Sequence, residues 1–196
     1  MSDRSNDLDA AKLLELFGEL SDRLGAHGQR AQMFVVGGAA MALEYEGGRV
    51  TRDVDALFEP AAEFRVIAAE VGESHGLEPD WINDAAKGFM PGPDENPRIV
   101  FESDALLIRV PSPEYLLAMK LYAARDERDL ADAATLYIAA GYSSTEEGLA
   151  LLERTYQASQ LLPRHQYIVQ DVTQSAATQR AASGNSESLS SWVEPV

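Results

Sequence analysis

The sequence predicts an α/β (α+β) protein: a small mixed β-sheet covered by helices, followed by a helical C-terminal part. Three observations lead there. Short apolar runs of strand length alternate with stretches of helical periodicity over the first 110 or so residues. Glycine pairs and a proline-rich segment punctuate those runs. Beyond Ser112 the periodicity is helical only, which is the order expected of a sheet core with a helical appendage.

Residues 8–26 form the first predicted helix, because Leu13, Leu14, Phe17, Leu20 and Leu24 recur at helical spacing. Ser5-Asn6-Asp7 offers its N-cap. Met33-Phe34-Val35-Val36 has the size of a buried strand and ends at Gly37-Gly38. Ala39 to Leu43 favours helix by propensity, and Gly47-Gly48 stops it. Asp53 to Phe58 reads as a second strand, closed near Pro60, and residues 61–74 resume helical periodicity through Phe64, Ile67, Ala68 and Val71. Residues 87–98 form a loop. Ile99-Phe101 and Leu106-Val110 make two strands of a hairpin across Glu102-Ser103-Asp104. Ser112 caps a helix that starts at Pro113 and runs to about Arg125. Further helices are expected at 127–140 and 145–160, with a short one from Pro163. The organisation expected is an N-terminal helix at 1–28, a core at 29–140, C-terminal helices at 141–172 and a disordered tail at 173–196, where large apolar residues run out.

Composition narrows the class. With 196 residues, 45% of them apolar, the chain can bury one real core. No apolar stretch approaches the roughly 20 residues of a membrane span, and the start MSDRSNDLDAAK lacks the apolar centre of a secretory signal. There is no cysteine, hence no disulfide framework and no thiolate zinc site. A cytoplasmic protein without membrane association is the expectation. The net charge of -16 repels nucleic-acid phosphates at long range, so an RNA partner would need a local basic patch or a basic companion.

Two features carry chemistry. In a strand, residues i and i+2 share a face, so Asp53 and Asp55 project together while Val54 and Ala56 point into the core. Paired carboxylates repel unless a cation lies between them. Hard oxygen donors at this spacing suit magnesium or manganese, which complete their shell with water and substrate phosphates. A solvated acidic strand edge is the plain alternative. Gly37-Gly38, at the junction of strand and helix, exposes backbone N–H groups and removes the side chains that would keep a phosphate away. A tight strand-to-helix turn is the plain alternative there. Taken together, a phosphate cradle and a carboxylate pair separated by one short helix make a device for orienting a nucleoside triphosphate. His27, His75 and His165 are scattered, and no nucleophile elbow, P-loop or dinucleotide fingerprint is present.

Val35-Val36-Gly37-Gly38-Ala39, followed by Thr51-Arg52-Asp53-Val54-Asp55-Ala56-Leu57, resembles the opening motifs of the polymerase-beta-like nucleotidyltransferase superfamily. Leu116 to Leu121 with Lys120, then Arg125, Arg128-Asp129 and Asp132, is similar to motifs of its AbiEii-like branch, which includes toxins of bacterial toxin–antitoxin systems. Asp80 to Asp84 resembles a segment of uncharacterised relatives. The resemblance implies a Mg-dependent enzyme that transfers NMP from an NTP, such as ATP, to an RNA (tRNA) or protein acceptor. It implies Asp53 and Asp55 as metal ligands and Gly37, Gly38, Arg52 and Lys120 on the nucleotide. Asp129 or Asp132 would orient Lys120 or act as base. Lys120 lies amid Leu, Met, Ala and Tyr, so it either snorkels or has an anionic partner, which can equally be a carboxylate of the next helix. The superfamily's third carboxylate has no obvious counterpart. Leu106-Val110 carries Arg109 instead, and Glu102 or Asp104 would serve only if the hairpin curled toward the site. A catalytically inactive, antitoxin-like module that binds a basic partner is the reading from another class.

Overall fold

The structure, a computed structural model, describes the backbone of residues 7–190 and the side chains of residues 7–183. Between Ser112 and Pro113 the chain divides into two compact units.

The first unit opens with α1 (Ala10–Ala26). Its cap is Asp9, which accepts from the Lys12 N–H at 2.8 Å; the expected cap lay two to four residues earlier, and Ser5 and Asn6 fall outside the described residues. Leu13, Leu16, Phe17, Leu20 and Leu24 are fully buried, each contributing about 1.5–3 kcal/mol of transfer free energy. Leu14, assigned to that stripe from spacing, is 41% exposed, and Leu16 fills its place. Five strands follow: β1 (Ala31–Val35), β2 (Val54–Glu59), β3 (Ile82–Asn83), β4 (Arg98–Glu102) and β5 (Leu106–Val110). They form one mixed sheet in the order β3-β2-β1-β5-β4. β1 runs antiparallel to β2 and parallel to β5, while β4 and β5 make the expected hairpin. Between β1 and β2 lies α2 (Gly37–Ala40), which widens into a π-helical turn at Met41–Tyr45. After β2 comes α3 (Ala61–Ser74), with Phe64, Ile67, Ala68 and Val71 all buried as their spacing requires. The expected loop at 87–98 holds a 3-10 turn at its start (Ala85–Phe89).

The second unit consists of helices: α4 (Pro113–Ala123), α5 (Glu127–Ala139), α6 (Thr145–Thr155) and α7 (Pro163–Ser190). Ser144 and Glu147 form a reciprocal capping box at the start of α6. That helix ends at Thr155, five residues earlier than expected, and a short 3-10 turn occupies Ala158–Gln160. The larger correction concerns the tail. The helix predicted to be short runs on to Ser190, through residues that composition had marked as disordered. Val169, Val172 and Ala176 are completely buried at helical spacing, and Arg180 donates to the Tyr142 carbonyl at 2.6 Å. Small residues pack a close helix contact as well as large ones do, so a lack of Leu and Phe did not mean a lack of core. Residues 191–196 lie outside the described residues.

Candidate active site

The site begins where β1 ends. Val35 pairs with Ala56, and the Val36 N–H donates to the Asp55 carbonyl at 2.8 Å, so the antiparallel ladder brings the glycine turn against the Asp-Val-Asp segment. Gly37 has φ of +64°, in the left-handed region open to glycine. A Cβ there would lie 3.1 Å from Asp55 Oδ2, and one on Gly38 would lie 2.8 Å from Thr51 Oγ1. Gly37 is favoured by its positive φ, side-chain oxygens approach both glycines closely, and the Asp55 carboxylate sits directly over the turn. Immediately beyond, the helix carries its π turn, a feature found frequently at functional sites.

Within β2 burial alternates, with Asp53 outside the strand on the bend before it. Val54 and Ala56 are buried, Asp55 is half-buried and Asp53 is exposed. Asp53 itself precedes the strand, which starts at Val54. Thr51, only 8% exposed, ties it down: its hydroxyl donates to the Asp53 carbonyl at 3.1 Å and reaches Asp53 Oδ1 at 3.5 Å. Arg52 is open to solvent, with its Nε 3.9 Å from Asp7 Oδ1.

The remaining expected residues group separately, in the second unit. Lys120 Nζ lies 3.0 Å from Asp129 Oδ1 and 2.6 Å from Asp132 Oδ2. Asp132 is buried, and Asp129 also accepts from the Arg125 N–H at 3.1 Å. Lys120 therefore has the anionic partners its apolar helix demanded, and they are carboxylates of α5.

Glu102 and Asp104 are placed far from the glycines within the sheet. Leu107 stands opposite both Glu102 and Gln32, so the hairpin turn lies at the start of β1, whereas Gly37 follows its end. Arg109 pairs its guanidinium with Gln32 Oε1 at 3.2 Å. Among the described residues no group of three or more His, Asp or Glu side chains is placed to hold a metal. Asp55 Oδ2 lies against the Gly37 turn, and Asp53 Oδ1 is 3.5 Å from the Thr51 hydroxyl that sits against Gly38. Hard carboxylate oxygens of this kind fit magnesium, which takes one or two carboxylates and fills the rest of its shell with water and substrate phosphates. Thr51 is the site residue that sequence reasoning passed over; its only signal was its position two residues before Asp53.

A strand ending in a glycine turn, antiparallel to a strand that carries Asp55 and is preceded by Asp53, and flanked by a parallel β5, is the frame of a nucleotidyltransferase-type core. A protein-family model matches residues 11–144, and the chain belongs to that family, described as nucleotidyltransferase of unknown function (DUF6036). No curated protein and no solved structure matches the chain. Among the described residues, no helix is long and apolar enough to cross a membrane.

Proposed function

We propose that this chain transfers a nucleoside monophosphate from a triphosphate to an acceptor hydroxyl. The observation that carries the reading is the placement of the Asp55 carboxylate over the Gly37 turn, with Asp53 bonded to the Thr51 hydroxyl that sits against Gly38. Asp53 and Asp55 would hold magnesium or manganese. Such an ion would supply positive charge to offset the negative charge that develops on the phosphates during transfer. Gly37 and Gly38 offer backbone N–H groups to the phosphates at the start of α2. Arg52, exposed next to Asp53 in the chain, would add positive charge toward the nucleotide. The acceptor oxygen bonds to the α-phosphorus as the bond to pyrophosphate breaks, and the hydroxyl proton leaves to a carboxylate.

Lys120, Asp129 and Asp132 act first as a clamp between α4 and α5, since one ammonium already serves two carboxylates. A phosphate-neutralising role for Lys120, or a base role for Asp129 or Asp132, requires one of these pairs to open. The resemblance to toxin nucleotidyltransferases supports a toxin–antitoxin context. The charge of -16 favours a protein acceptor over unaided tRNA.

The test is label transfer. Purified protein is incubated with each α-labelled triphosphate, magnesium, bulk tRNA and cell lysate, beside Asp53→Ala. Transfer to a discrete RNA or protein band that Asp53→Ala abolishes is the expected result. A folded wild-type protein that labels nothing overturns the enzymatic reading and leaves the partner-binding module.

A further inference from the structure

Asp53 is an exposed ligand on a bend, outside the ladder that holds Asp55. A carboxylate in that situation has several rotatable bonds and no strand partner to fix them, so its position depends on whatever closes the bend. Thr51 closes it. One hydroxyl hydrogen is shared between the Asp53 carbonyl and its Oδ1, across two residues, which is the kind of local bond that Ser and Thr use to hold turns. The same oxygen would lie only 2.8 Å from a Cβ at position 38, so the hydroxyl is also seated directly on the Gly38 backbone.

Thr51 is itself held from the other side. Its N–H and carbonyl pair with the Leu8 carbonyl and N–H at 2.9 and 2.7 Å, an isolated antiparallel bridge, and Leu8 is 1% exposed. Asp9, the next residue, caps α1. A series of hydrogen bonds and close contacts therefore runs from the start of α1 through the Leu8 backbone and the Thr51 side chain to Asp53 and Gly38.

We propose that Thr51 is a positioning residue that fixes the Asp53 carboxylate for a divalent cation and sets its distance from the glycine turn. This rests on the metal–nucleotide reading given above. Partners that orient a metal ligand typically matter about 10–100-fold for metal affinity. A threonine acting only as packing would affect melting and leave metal affinity alone.

The experiment measures manganese binding to the full chain by the loss of the free-ion paramagnetic resonance signal, without turnover, in the presence of a non-hydrolysable triphosphate. Four proteins are compared: wild type, Thr51→Val, Thr51→Ser and Asp55→Asn. Thr51→Val keeps the shape and removes the hydroxyl, and its manganese affinity is expected to fall about tenfold or more. Thr51→Ser keeps the hydroxyl and is expected to bind like wild type. Should Thr51→Val fail to fold, Thr51→Ala replaces it, removing the hydroxyl without inserting a methyl group toward Gly38. Wild-type affinity in a folded hydroxyl-free variant overturns the positioning role alone, as does an equal loss in Thr51→Ser. Absence of binding in the wild type, or unchanged binding in Asp55→Asn, overturns the metal reading and this inference with it.

Discussion

Replacing Lys120 with Met gives the sharpest stability prediction. The methionine preserves the aliphatic volume between α4 and α5 but deletes the charge shared by Asp129 and Asp132. Asp132 is 1% exposed, so its carboxylate cannot turn to water, and Asp129 stands one helical turn away with the same sign. Removing one partner of a buried ion pair costs about 3–5 kcal/mol, mainly through the uncompensated charge left behind. For a chain of 196 residues, 1 kcal/mol corresponds to roughly 2–4 °C, so Lys120→Met should melt at least about 6 °C below wild type. Circular dichroism melting at pH 7 measures it. The double variant Lys120→Met/Asp132→Asn should recover a substantial part of the loss, because the orphaned charge is gone. Should Lys120→Met melt within about 3 °C of wild type, the clamp has been misread and the lysine is free for another task.

Three further predictions concern other parts of the chain. Gly37→Ala forces a side chain into the left-handed region, at about 1–2 kcal/mol, and sets its methyl 3.1 Å from Asp55 Oδ2; transferase activity should fall much further than the melting temperature, and proportionate losses would refute the close-approach argument. Gly72→Ala would place a Cβ 2.6 Å from Trp81 Cδ1, next to an indole whose N–H donates to the Ala68 carbonyl at 2.8 Å; overpacking of about 1–3 kcal/mol should appear in urea unfolding, and an unchanged midpoint would contradict the packing described. His165 is buried, and its Nδ1 accepts from the Leu162 N–H at 3.0 Å, so the ring is neutral and its other nitrogen carries the hydrogen. Burial first, and the adjacent Arg164 charge second, hold this imidazole below its ordinary value, while the Tyr122 backbone pulls the other way. The unfolded chain takes up that proton near pH ~6.5 and the folded chain only at lower pH, so stability falls as pH drops below about 6.5. His165→Asn should flatten that slope in a melting series, and an unaltered slope would exclude His165 as its source.

Much of the sheet could be read directly because its strands are either buried on one face or bounded by glycine and proline. Met33-Val36 and Leu106-Val110 stand out as apolar runs, and Asp53-Phe58 alternates cleanly between buried and open positions. β3 escaped notice, since two residues, Ile82 and Asn83, cannot show a period. Pairing with Val54 and Asp55 holds it there, together with the Val54 N–H donating to the Trp81 carbonyl. The extent of α7 was hidden for a related reason: Ala176 contributes to a core only because α5 lies close, a property of the neighbour. The glycine turn and the two aspartates stood out as candidates because the chemistry expected of them depends on residue type and spacing. Thr51 did not stand out, because the backbone bridge that seats it joins it to Leu8, 43 positions earlier in the chain.

The most direct test is to grow crystals with manganese and a non-hydrolysable triphosphate and to collect data at a wavelength where manganese scatters anomalously. A single anomalous peak between the carboxylates of Asp53 and Asp55, with phosphate oxygens on the Gly37 and Gly38 N–H groups, is the predicted outcome. A triphosphate and metal bound elsewhere, with these four residues untouched, would contradict it.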